Sequence, residues 1–196
     1  MRLKILVTSL VAATCLSSCG TPPSYADLTP TYSTSAENVR NDNSNLGVKL
    51  QNKITEYYPG SKVKVYADNF SVLILGQVKT TNIKNEVTAL VKSEPNVKDV
   101  WNYLTVNPKP KFSMDSGLTD KVHERIASEK NINPDNIVAE AADGVVYLMG
   151  SNIGNLTYLD RAIRGIYAID GVSKVINLTR IGPDDYRSQE DADTNN

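Results

Sequence analysis

Histidine is nearly missing from this 196-residue chain and cysteine is scarce: His123 stands alone, and Cys15 and Cys19 are the two thiols. The usual three or four His/Cys ligands of a zinc site cannot be drawn from that set, and without a CxxC pair redox exchange has little to work with. No metal and no cofactor are expected. Aromatic residues make up 7% of the chain, and 21 Lys+Arg against 22 Asp+Glu give a formal net charge of −1. That balance lacks the basic footprint of a general nucleic-acid binder, so no nucleic-acid partner is expected.

Catalytic signatures are missing too. Gly150-Ser151-Asn152-Ile153-Gly154 lacks the Lys-Ser/Thr that completes a phosphate-binding loop. His123 sits among charges in Lys121-Val122-His123-Glu124-Arg125, where solvation is the simplest reading, and the pair Asp184-Asp185 lies in a polar tail with no pocket to tune it. The chain is therefore read as a non-enzyme with no catalytic residue.

What is present begins with an address. Arg2 and Lys4 precede an apolar run from Ile5 to Leu16, about a dozen residues long, too short to span a bilayer but right for a secretory signal peptide over residues 1–18. The signal ends in Leu16-Ser17-Ser18-Cys19-Gly20, which resembles the bacterial lipobox, with cleavage before Cys19 and lipid on its sulfur. In lipoproteins of that kind an Asp after the cysteine retains many in the inner membrane. Gly20 stands there instead, so the expected location is the outer membrane, lipid-anchored and facing the periplasm. Removal of Arg2 and Lys4 leaves 19 Lys+Arg against 22 Asp+Glu, a mature charge of −3.

Residues 19–45 are rich in Thr, Pro, Ser and Asn with no sustained apolar period, and read as a lipidated flexible tether. Residues 183–196 hold five acids against Arg187 and read as a disordered tail. Pro108 and Pro110 mark a linker over 108–111, which separates two similar halves, 46–107 and 112–182.

In the first half Leu46, Leu50, Ile54 and Tyr57 recur at helical spacing, with Lys49, Lys53 and Glu56 opposite. Strands are predicted over Lys62–Ala67, Ser71–Val78 and Val97–Val106, with a helix through Ile83, Val87, Leu90 and Val91. The second half repeats this order. Leu118, Val122 and Ile126 stand 72 residues after Leu46, Leu50 and Ile54, and the offset drifts only to 74 at Gly76/Gly150 and 75 at Val97/Val172. Strands over Val138–Ala141, Val145–Gly150 and Val172–Ile181 flank a helix through Leu156, Leu159, Ile163 and Ile166. The fold class is α+β: two tandem α-β-β-α-β domains, each with two helices on a three-stranded mixed sheet.

This pattern resembles a tandem pair of BON domains, and with the lipobox the whole chain is similar to the dual-BON-domain outer-membrane lipoproteins. The second unit carries the motif complete in Gly144, Gly150, Gly171, Val172, Val175 and Asn177, whereas the first keeps Gly76, Val97, Val100 and Asn102 but has Phe70 and Asn96 where two glycines belong. These residues read as structural, the glycines for turns and close approach and the asparagines for a backbone bond at a local bend. The resemblance implies a role in envelope integrity through anionic phospholipid or envelope-protein contacts. The alternative it leaves is a periplasmic scaffold or assembly adaptor without direct lipid recognition.

Alternation on the third strand turns Val100, Leu104 and Val106 toward the helices and leaves Trp101 and Tyr103, with Leu73 and Leu75, on the other sheet face. The second unit echoes that face in Tyr147, Met149, Ile176 and Leu178. The two faces either cover each other or form a partner patch at Leu73, Leu75, Trp101 and Tyr103. For the membrane the expected contact is unit two. Its entry mixes Lys109 and Lys111 with Phe112, Met114 and Leu118, and its helices carry Lys121, Arg125, Arg161 and Arg164.

Overall fold

The computed structural model describes residues 36–180 apart from Asn96 and Asn152, and only the backbone of residues 36–41 and 43. The signal peptide, Cys19, most of the tether and the acidic tail lie outside the described residues.

Each unit is built as α-β-β-α-β. The first comprises α1 (Ala36–Tyr57), β1 (Lys62–Asp68), β2 (Ser71–Val78), α2 (Thr81–Lys92) and β3 (Asp99–Val106). The second comprises α3 (Ser116–Ala127), β4 (Ile137–Ala142), β5 (Val145–Gly150), α4 (Leu156–Tyr167) and β6 (Lys174–Thr179), with a single 3-10 turn at Pro134–Asn136. In both sheets the middle strand pairs antiparallel with its hairpin partner and parallel with the last strand. Helices α2, α3 and α4 start at side-chain caps: Thr80 accepts from Ile83 N at 3.2 Å, Asp115 from Leu118 N at 2.9 Å and Asn155 from Thr157 N at 2.8 Å.

The helices of each unit cover one face of its sheet. Leu50, Ile54, Val87, Val91 and Leu104 fill the first core, and Val122, Ile126, Leu159, Ile166 and Val175 the second. The opposite faces close on each other. Leu73, Leu75 and Trp101 from the first sheet and Met149, Ile176 and Leu178 from the second form one buried layer, and Tyr103 meets Tyr147 with ring centroids 5.1 Å apart. Trp101 is 1% exposed. Of the two readings open for these faces, mutual cover is the one observed: a flat apolar sheet face costs free energy in water, and a second such face lay one short linker away.

The hairpins explain why one unit departs from the motif. Asp143 and Gly144 turn with φ of 52° and 77°, and Asn69 and Phe70 with 40° and 69°. Phe70 thus occupies a left-handed position that suits glycine, with Lys98 Nζ 4.8 Å from its ring centroid. Gly76 and Gly150 answer a second demand, because a Cβ on either would collide with backbone carbonyl oxygens, of Lys62 and Asn136 respectively. Asn102 and Asn177 make the expected backbone bonds, Oδ1 accepting from Leu104 N at 2.9 Å and from Thr179 N at 3.1 Å.

Several sequence expectations are corrected. α1 begins at Ala36, so residues 36–45, read as tether, are helical; they carry no apolar stripe for periodicity to register. Tyr57 is 62% exposed, and Tyr58, four residues after Ile54, packs on the core instead. Val106 has the expected phase but lies at the strand end, 46% exposed. Strands β3 and β6 start two residues later than predicted, at Asp99 and Lys174.

Candidate functional site

Leu73, Leu75 and Trp101 are buried between the sheets and Tyr103 is half-buried there, so these four do not form an open partner patch. The layer that covers them ends in polar contacts. Arg180, at the end of β6, donates from Nη2 to Asp99 Oδ2 at the start of β3 over 2.7 Å, with its own side chain 4% exposed. Asp68, in the same region, is pushed up from the usual carboxylate range by burial, against a hydrogen bond from Ser151 and the charge of Arg180. Glu140 on β4 is also raised by burial while accepting from the Tyr66 hydroxyl, whose own pKa burial raises, helped by the Glu140 charge. These contacts bring the Asp68 end of the first sheet to the Gly150 end of the second, so the strands run to opposite ends in the two layers.

A cleft of about 450 Å³ opens beside this junction, lined by Gln51, Lys64, Tyr66, Asp68, Asp135 and Val138 among others. It holds carboxylates, a lysine and a phenol but no thiol or imidazole. Among the described residues no group of three His, Cys, Asp or Glu is placed to hold a metal ion. His123 is exposed on α3.

The residues expected to meet a membrane separate into three sets. Phe112 and Met114 are half-buried against the inter-sheet layer, and Leu118 lies in the second core. They cover apolar surface of the protein itself. Arg125 and Arg161 are committed to the α3–α4 seam. Arg125 donates to Arg161 O at 3.0 Å across Gly165, where a Cβ would strike the guanidinium, and Arg161 pairs with Glu129 at 3.2 Å. Lys109, Lys111, Lys121 and Arg164 remain exposed. The helical period placed Lys49 and Lys53 opposite the apolar stripe of the first helix, and both reach Glu94, at 2.8 and 2.6 Å, and hold its carboxyl below the usual range. Neither Arg180 nor Glu94 announces such a role, because each partner is more than forty residues away.

Two helices over a three-stranded mixed sheet, duplicated and closed sheet to sheet, define a tandem α+β module. The BON domain model matches residues 42–108 and 114–183, and the chain belongs to the BON domain family. Outer membrane lipoprotein DolP of Haemophilus influenzae is 30% identical over 145 residues, 70% of this chain and 73% of that protein. With this relative the chain stands among the outer-membrane lipoproteins, and no helix among the described residues is long and apolar enough to cross a membrane. The family and this relative support a non-enzymatic role in the envelope. Two solved chains of CdsD, a structural protein of the type III secretion system of Chlamydia trachomatis, align at 13% and 12% identity over 68% of this chain and 90% and 96% of theirs. Their TM-scores of 0.30 and 0.31 are too low to bear on fold or function.

Proposed function

We propose that this chain is a lipid-anchored outer-membrane protein that supports the envelope by holding anionic phospholipid on the charged surface of its BON pair, with Cys19 supplying the acyl anchor. The observation that carries this reading is the closure of the two sheet faces. With Leu73, Leu75 and Trp101 buried, the surface left to a ligand consists of helix exteriors and strand ends, where lysine and arginine are exposed. The same closure disfavours the adaptor alternative, which relied on that patch. Contact is then by charge rather than insertion, because Phe112, Met114 and Leu118 are turned into the protein. Each basic group near an anionic surface contributes about 1 kcal/mol, screened by salt.

The test is flotation of a chain beginning at Gly20 with anionic or neutral liposomes over a salt series. Binding restricted to anionic liposomes and lost at high salt supports the proposal. Equal binding to neutral liposomes, or none to anionic ones at low salt, overturns it.

A further inference from the structure

The outer edges of the two hairpins are closed differently. The two-residue turns make Asp68–Ser71 and Ala142–Val145 hydrogen-bonded pairs, so the preceding residues, Ala67 opposite Val72 and Ala141 opposite Val146, turn their backbone N–H and C=O away from the partner strand. On β4 both outward groups are met. Thr119 Oγ1 accepts from Ala141 N at 3.0 Å, and Asp115 N donates to Ala141 O at 2.8 Å. Ala141 is 0% exposed. An edge strand covered in this way offers nothing to a passing chain.

On β1 the same two groups are left open. Gly47 stands 72 residues before Thr119, the offset that relates the two first helices, and has no hydroxyl to bring to Ala67 N, although a Cβ there would lie 3.5 Å from that nitrogen. Asp115 is the N-cap of α3, whereas its counterpart at position 43 lies about two turns inside α1, where the backbone N–H faces the helix's own carbonyl four residues back. Gln51 Oε1 accepts from Val65 N at 3.3 Å, so the closure of this edge stops one outward residue short of the turn. Ala67 is half-buried, and among the described residues no side chain or loop bonds its N–H or C=O.

Ala67 lines the cleft of about 450 Å³ described above, between Val48 of α1, which is 59% exposed, and Asn136 and Val138 of the second unit. We propose that this cleft is a peptide-binding site, in which an extended segment of a partner protein pairs with Ala67 as a short fourth strand beside β1. A secondary amide is the ligand chemistry that an outward N–H and C=O select, and one residue of extended chain satisfies both at once. The residue opposite Ala67 shares its helix-side face of the sheet and meets Gly47 and Val48, which suits a small aliphatic side chain. Its neighbours point the other way, toward Lys64, Asp68 and Asp135, a lining of both signs that suits polar or charged side chains. The inference is independent of the lipid-binding reading.

The chain beginning at Gly20 is panned against phage-displayed linear dodecapeptides, and the enriched peptides are synthesised and titrated by NMR into three proteins. These are the unaltered chain, Gly47→Thr, which rebuilds on α1 the hydroxyl that Thr119 supplies on α3, and Val48→Asp, at an exposed position that folding tolerates. Thermal melts check that the variants fold. Peptides that shift the Ala67 amide and bind each variant at least about tenfold more weakly support the inference. Amide exchange gives a reading without ligand: Ala67 exchanges faster than Ala141 in the unaltered chain and slows in Gly47→Thr. No enrichment, equal binding by the folded variants, or an Ala67 amide as protected as that of Ala141 overturns the inference. Self-association of the unaltered chain that Gly47→Thr abolishes would give the cleft to a second copy and overturn the partner reading.

Discussion

Arg180, the last described residue, and Asp99 meet at 2.7 Å across 81 residues of sequence, joining the end of the last strand of the second unit to the first residue of β3. Truncating one partner leaves the other charge in a largely buried place. Arg180→Ala is expected to cost up to about 3 kcal/mol in chemical denaturation, and Arg180→Met with Asp99→Leu to recover much of it. Equal losses in the single and double variants would show that the pair is not coupled.

Because one apolar layer belongs to both sheets, the two units are expected to unfold together. Trp101→Ala removes a large side chain from the first and Leu178→Ala a smaller one from the second, at about 3–5 and 2–5 kcal/mol. Each should lower a single cooperative calorimetric transition. Two separable transitions, with one moved by each substitution, would contradict a shared layer.

Phe70→Gly should stabilise the protein. An aromatic residue at φ 69° carries left-handed strain of about 1 kcal/mol, and the equivalent hairpin uses Gly144 at φ 77°. The lost contact with Lys98 offsets part of the gain. A melting temperature below that of the unaltered chain would mean the Phe70–Lys98 contact outweighs the strain.

Glu94 sets an acid-side dependence. The hydrogen bonds from Lys49 and Lys53 hold its folded pKa below the ordinary glutamate value, so their contribution is complete above that value and is lost as pH falls through the lowered one. Asp68 and Glu140, raised by burial, work in the opposite sense, so the difference between the unaltered chain and Glu94→Gln isolates the effect. Melting temperatures should differ by a few degrees at neutral pH and converge under acid. A gap that persists at low pH would point to lost packing.

Cys19→Ala should release the protein from the membrane fraction, since acylation needs the sulfur. Continued extraction by detergent alone would rule out the lipobox.

The repeat was legible because both copies keep helical and strand periods at nearly constant offset, from Leu46/Leu118 to Val97/Val172. The phase of Trp101 and Tyr103 against Leu104 was legible too. Periodicity names a face but not its cover, so burial by Met149, Ile176 and Leu178 had to come from three dimensions. For the same reason Phe112 and Met114 read as insertion residues: an apolar side chain beside lysine looks alike whether it faces lipid or its own core. The charges were the least legible. Glu94, Asp99 and Arg180 count fully in a formal sum, yet each is neutralised by a partner distant in sequence.

Sheet closure fixes the positions of the two units' charges relative to each other, with lysine excess on one side and exposed carboxylates on the other. The molecule therefore carries an electric dipole across its sandwich. Near a negatively charged plane that dipole exerts a torque before any side chain touches a headgroup, turning the first unit inward and holding the second away. Were the protein held at such a plane by the proposed Cys19 anchor, reversing the charges of the lysine-rich side would turn the molecule over rather than merely loosen it.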